Sequence, residues 1–141
     1  MPLVSPAALS TLDIRVYYED TDAGGVMYYA NYLKFFERGR TEWLRRLGVN
    51  QSALSSGQHC LFVVRKVEIQ YRKPARLDDL LEIRSTISRI GSASIDFDQA
   101  ALRGQELLCD SAIQVCCVDT SALRPIPIPD QLRTLLEKAQ K

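Results

Sequence analysis

Residues 17–32 read YYEDTDAGGVMYYANY, placing Glu19, Asp20 and Asp22 just ahead of Gly24-Gly25 and the pair Tyr28-Tyr29. Crowded carboxylates repel, so the run is either a loop held by backbone N–H groups or a place where an acid works. As a loop it is competent: the glycines supply positive φ and the carboxylates accept backbone hydrogen bonds. A calcium loop starts in a similar way at Asp20, but Ala23 and Gly24 leave the third ligand missing and no acid follows to close the loop until Glu37. An Asp-x-Asp magnesium site for a nucleotide sugar would want a phosphate-cradling loop, and none accompanies it. Acyl transfer to water fits better. A carboxylate beside a helix N-terminus can attack a carbonyl or activate a water, while unpaired first-turn N–H groups face the developing oxyanion. Gly24 and Gly25, without Cβ atoms, let a substrate carbonyl approach the backbone. Thioesters suit so sparse a site, because a thiolate leaves with little proton help.

The elements that would position this loop follow from periodicity. Residues 12–18, LDIRVYY, alternate as a first strand. In residues 30–48, Tyr32, Phe36, Gly39, Trp43 and Leu47 recur at spacings of three and four, one face of a long helix. Leu33, Phe35 and Leu44 widen that face, so the helix should be covered on more than one side. Gly39 inside it costs about 1 kcal/mol against alanine, which predicts close packing there. Gly48 is placed to cap its end.

After Gly57 the period becomes two. Val63, Arg65, Val67, Ile69 and Tyr71 are expected on one strand face, with Arg65 meeting a carboxylate or a second subunit there. Further strands are predicted over residues 80–90, 93–102 and 106–119, and a short helix over 130–138 with Asp130 as its N-cap. Successive strands on short connections favour an antiparallel sheet with the helix on one face. Its exposed edges call for a second copy.

Composition narrows the function classes. A chain of 141 residues with 46% hydrophobic and 25% charged residues is one globular domain over 1–141. A net charge of +1 gives no electrostatic case for nucleic acid. The N-terminal MPLVSPAALSTLD has no basic start and long apolar run, so no signal peptide is expected, and no stretch nears the ~18 apolar residues of a membrane span. Cys60, Cys109, Cys116 and Cys117 contain no CxxC pair, and His59 is the sole histidine, so no metal site is expected. Cys116 and Cys117 should point to opposite faces of their strand as small apolar residues. These features predict a reduced, cytoplasmic protein.

The run V-Y-Y-E-D-T-D-A-G-G-V-M-Y-Y-A-N-Y-L-K-F-F-E-R-G-R-T-E-W-L, followed by VVRKVEIQYRKPARLDDLLEI, strongly resembles the hot-dog-fold acyl-CoA thioesterases. The likeness is to the YbgC-like branch, related to 4-hydroxybenzoyl-CoA thioesterase, and it spans about residues 12–120. It implies an α+β hot-dog fold, a five-stranded antiparallel sheet wrapped around one long helix, hydrolysing acyl-CoA to free acid and CoA without a cofactor or metal. Asp22 matches the family's catalytic carboxylate, as nucleophile or general base. Tyr29 matches the position whose backbone N–H polarises the thioester carbonyl, where many YbgC-like proteins carry histidine. Glu19 and Asp20 are left as loop-formers or like-charge modulators of Asp22. The resemblance also implies a homodimer paired edge to edge, or a homotetramer of two such dimers, with basic residues holding the CoA nucleotide. Arg89 and Ser92 are the candidates for that role. Acyl carrier protein thioesters are the alternative substrate, and a non-catalytic role beside the Tol–Pal envelope system is the alternative function.

Overall fold

The structure, a computed structural model, describes residues 9–57 and 59–140. The reading of the N-terminus as free of a signal peptide falls largely on residues 1–8, outside that range. In chain order the elements are β1 (Ser10–Arg15), α1 (Asn31–Arg46), α2 (Gln51–Gly57), β2 (Cys60–Tyr71), β3 (Leu80–Ile90), β4 (Ser94–Arg103), β5 (Glu106–Asp119) and α3 (Asp130–Gln140). The strands form one five-stranded sheet in the order β1-β3-β4-β5-β2. All four pairings are antiparallel, so the α+β expectation holds. No helix among the described residues is long and apolar enough to cross a membrane.

Helix α1 lies in the curve of the sheet because its apolar stripe matches the sheet's inner face. Tyr32, Phe35, Phe36, Trp43 and Leu44 are buried with Ile83, Ile95, Phe97 and Ile113 in one core. Gly39 is the point of closest approach: a Cβ there would lie 2.9 Å from Ile83 Cγ2 and 3.2 Å from Gln99 Nε2 and Ser85 Oγ. Gln99 fastens the contact, its amide nitrogen donating to Phe36 O and to Ser85 Oγ, both at 2.8 Å. The helix ends as a Schellman motif. Gly48 has φ +91, its N–H donates to Arg45 O at 3.0 Å, and the Val49 N–H donates to Leu44 O at 2.8 Å.

Four expectations change in detail. The first strand stops at Arg15, because Tyr18–Asp20 turn as a short 3₁₀ helix. The helix α2 has no counterpart in the sequence reading. In α3 the Arg133 N–H bonds Pro129 O at 2.9 Å, so Pro129 is the cap and Asp130 the first helical residue. In β2 a bulge between Val64 and Lys66 absorbs Arg65. The extra residue moves Val64, not Val63, onto the face of Val67 and Ile69. Arg65 is exposed and meets no carboxylate among the described residues.

The cysteines also depart from expectation. Cys60 and Cys117, 57 residues apart, form a disulfide with their Cα atoms 6.2 Å apart, because the β2–β5 pairing sets their strands side by side. The premise of a wholly reduced chain fails for this pair. Cys109 and Cys116 are free and buried; Cys117 joins the core while Cys116 does not, as neighbours on opposite strand faces should.

Candidate active site

The acidic loop is a short hairpin anchored at three rungs. The Tyr28 N–H donates to Asp20 O at 3.0 Å, Thr21 bridges Met27, and the Asp22 N–H donates to Val26 O at 2.9 Å. Asp22 then makes its own turn: Oδ1 accepts from the Gly24 N–H at 2.8 Å and its carbonyl from the Gly25 N–H at 3.1 Å. Gly25 has φ +79, which explains glycine there; at Gly24 a Cβ would sit 3.3 Å from Asp22 Oδ1. The glycine amides are therefore engaged by Asp22 and shape the turn, and the donors for a substrate must come from elsewhere.

They come from the approach to α1. The Asn31, Tyr32 and Leu33 N–H groups bond the carbonyls of Tyr28, Tyr29 and Ala30 in a tight first turn. The helix's first-turn amides are thus satisfied, contrary to the simplest expectation. The open ones lie just before them: among the described residues, the N–H groups of Tyr29 and Ala30 have no acceptor. The hairpin returns the chain so that these two amides follow directly on the rung pairing Tyr28 with Asp20, two residues from Asp22. Asp22 itself is exposed, with Oδ2 uncommitted.

Asp20 is the piece that sequence reasoning left undecided. Its Oδ2 accepts from the Tyr17 N–H at 2.8 Å and its Oδ1 from Asn31 Nδ2 at 2.9 Å. It is a loop-former, tying the strand exit, the hairpin and the start of α1 together. The rest of the support comes from residues 72–79: the Met27 N–H donates to Ala75 O at 2.7 Å, and Val26 bridges Arg76. That segment is braced by Arg103, which donates to Pro74 O and pairs with Asp79 and Glu106, while Lys73 also pairs with Glu106.

The tyrosines divide. Tyr32 is buried, and burial pushes its phenol up to about 12; its hydroxyl donates to Lys73 O at 3.4 Å, so it is a neutral core group. Tyr17, Tyr18 and Tyr28 are exposed and lie outside the core of this chain. The exposed Tyr29 ring stands edge-on to Tyr71 of β2, centroids 5.7 Å apart. Arg89 and Ser92 are exposed at the β3–β4 turn. They lie at the opposite end of β3 from Leu80, which pairs with Arg15 beside the acidic loop, about 30 Å along the strand. Within one chain they do not join Asp22 and Tyr29.

A five-stranded antiparallel sheet packed on one long helix is the hot-dog architecture. The chain belongs to the thioesterase-like superfamily, whose family model matches residues 16–136. Among curated proteins it is similar to the acyl-CoA thioesterase YbgC of Haemophilus influenzae, 44% identical over 120 residues, covering 85% of this chain and 88% of that one. It is 34% identical to the Helicobacter pylori (strain ATCC 700392 / 26695) acyl-CoA thioesterase YbgC, covering 86% and 96% of the two chains. Among solved structures, a probable thioesterase from Bartonella henselae superposes with a TM-score of 0.83 at 39% identity, covering 86% of this chain and all of that one.

Proposed function

We propose that this protein hydrolyses acyl-CoA thioesters to the free acid and CoA. The observation that carries the reading is the pair of unbonded amides at Tyr29 and Ala30 on the hairpin strand that returns past Asp22, whose Oδ2 is free. The thioester carbonyl oxygen accepts from these amides, which stabilise the negative charge gained as the carbon becomes tetrahedral. Asp22 either attacks that carbon, giving an acyl–carboxylate anhydride that water opens, or removes a proton from an attacking water. In both cases the C–S bond breaks, the sulfur leaves as thiolate, and water supplies the oxygen of the product acid. The role of Tyr29 rests on its backbone, so the reading holds with tyrosine at this position.

The working unit is a dimer joined along β2. Among the described residues that strand pairs on one side alone, with β5, and its exposed Val63, Val64 and Val67 flank the free edge. A two-fold axis across this edge reverses the partner's sheet. The partner's β3–β4 turn, with Arg89 and Ser92, then comes to the same end as this chain's Asp22. That arrangement adds the partner's cation for the CoA phosphates at this end.

Thiol release is to be followed from matched CoA and acyl carrier protein esters of short, long and aromatic acids, alongside sedimentation of the protein. Turnover of CoA esters by a dimer or larger assembly supports the reading. Turnover of carrier esters alone moves the substrate to the carrier, and no turnover of either contradicts the assignment.

A further inference from the structure

Between α1 and β2 the structure holds a cavity of about 110 Å³, away from the acidic loop. Its walls are largely apolar, with Phe62, Val64, Phe97 and Val115 among them, yet Arg40 and Glu37 also line it. Arg40 is only 8% exposed. One hydrogen bond is made by its guanidinium, from Nη1 to Gln99 Oε1 at 2.9 Å, and it lies 6.0 Å from the Phe97 ring centroid. Gln99 cannot turn away, since its amide nitrogen is held by Phe36 O and Ser85 Oγ. Among the described residues no enclosed side-chain nitrogen or oxygen lacks a partner, so the remaining Arg40 donors open onto the cavity. Burial lowers the Arg40 pKa, and Glu37 is the carboxylate whose field opposes that shift. The two form no ion pair, and the other polar wall groups, Thr41 and Gln51, bond each other.

One face of β2 runs from this cavity towards the reaction centre. Tyr71, Ile69, Val67 and Val64 share the helix-facing side of β2 through the bulge, as their pairing with Cys109, Ser111, Ile113 and Val115 requires. At one end of this strip the Tyr71 ring meets Tyr29; at the other Val64 lines the Arg40 cavity. Along α1, Asn31 and Arg40 are about 14 Å apart, a span an extended chain of about twelve carbons covers.

We propose that Arg40 and Glu37 form the polar end of an acyl groove and receive a hydroxyl carried at the far end of the acyl chain. This rests on the thioesterase reading above. A hydroxyl accepts from Arg40 and donates to Glu37, using both groups. A carboxylate would face Glu37, and a plain alkyl end would leave buried donors unmatched.

The test compares thiol release from three CoA esters of matched length, about twelve carbons each, ending in methyl, hydroxyl or carboxylate. The wild type is expected to favour the hydroxyl ester in kcat/KM by about tenfold over both others. Arg40→Lys keeps the buried charge but not the fork, and is expected to bring the hydroxyl-to-methyl ratio towards one through KM. Glu37→Gln is expected to weaken discrimination against the carboxylate. Equal use of hydroxyl and methyl esters by wild type, or a preference that survives Arg40→Lys, overturns the subsite. Calorimetric binding of the free hydroxy and plain acids separates the two readings. A binding preference with no thiol release from any ester sinks the thioesterase reading alone, and turnover without preference sinks the subsite alone.

Discussion

Asn31 holds Asp20 across the start of α1, its Nδ2 donating to Oδ1 at 2.9 Å while the Tyr17 N–H occupies Oδ2. One carboxylate thereby fixes the angle between the acidic hairpin and the helix whose entry leaves the Tyr29 and Ala30 amides open. Asp20→Asn puts an NH₂ against a donor on one side or the other. The variant is expected to lose about 1–3 kcal/mol of stability. It is also expected to lose about tenfold or more in kcat at little change in KM, read by denaturant unfolding and steady-state kinetics on the same preparation.

Gly39 is expected to tolerate nothing larger. Alanine gains about 1 kcal/mol of helix propensity, but its Cβ would fall 2.9 Å from Ile83 Cγ2. Overpacking of this kind costs about 1–3 kcal/mol, so Gly39→Ala should be net destabilising in urea titration. A stabilised variant would mean that α1 does not lie this close to the sheet.

These two positions show what the sequence could and could not reveal. Gly39 was legible because a glycine inside a strong helical stripe marks a place where a neighbour packs against the backbone. The helix and the five strands were legible for the same local reason, through spacing. The role of Asp20 was hidden, since its partner Asn31 is eleven residues away and only the folded hairpin brings them together. Arg65 was misplaced because a bulge shifts the alternation of β2 by one residue without any mark in composition. The Cys60–Cys117 pairing depends on β2–β5 register and is likewise invisible in spacing.

The brace behind the hairpin should titrate. Hydrogen bonds from Lys73 first, then Arg103, lower the Glu106 pKa from 4.5 to about 2. A depressed carboxylate contributes stability above its unfolded pKa and loses it as pH falls through the folded value. Glu106→Gln is therefore expected to lower Tm modestly at neutral pH, with the difference from wild type closing between pH 4.5 and about 2. Because these groups are partly open to solvent, added salt should narrow the difference as well.

Gly25 is a backbone requirement. With φ +79 and open space around it, Gly25→Ala is penalised by conformation alone, by about 1–2 kcal/mol. Gly25→Asn, which tolerates this region better, should recover most of the stability and the activity. Equal loss in both variants would point to a steric role in substrate approach instead.

The most direct test of the mechanism is thiol release from acyl-CoA by wild type and Asp22→Asn, with the oligomer checked for both. Asparagine retains an oxygen for the Gly24 N–H, so the turn should persist while the anion is lost. A fall in kcat of about a hundredfold or more is expected, with the assembly unchanged. Turnover by Asp22→Asn equal to wild type would make Asp22 a loop residue and contradict the mechanism.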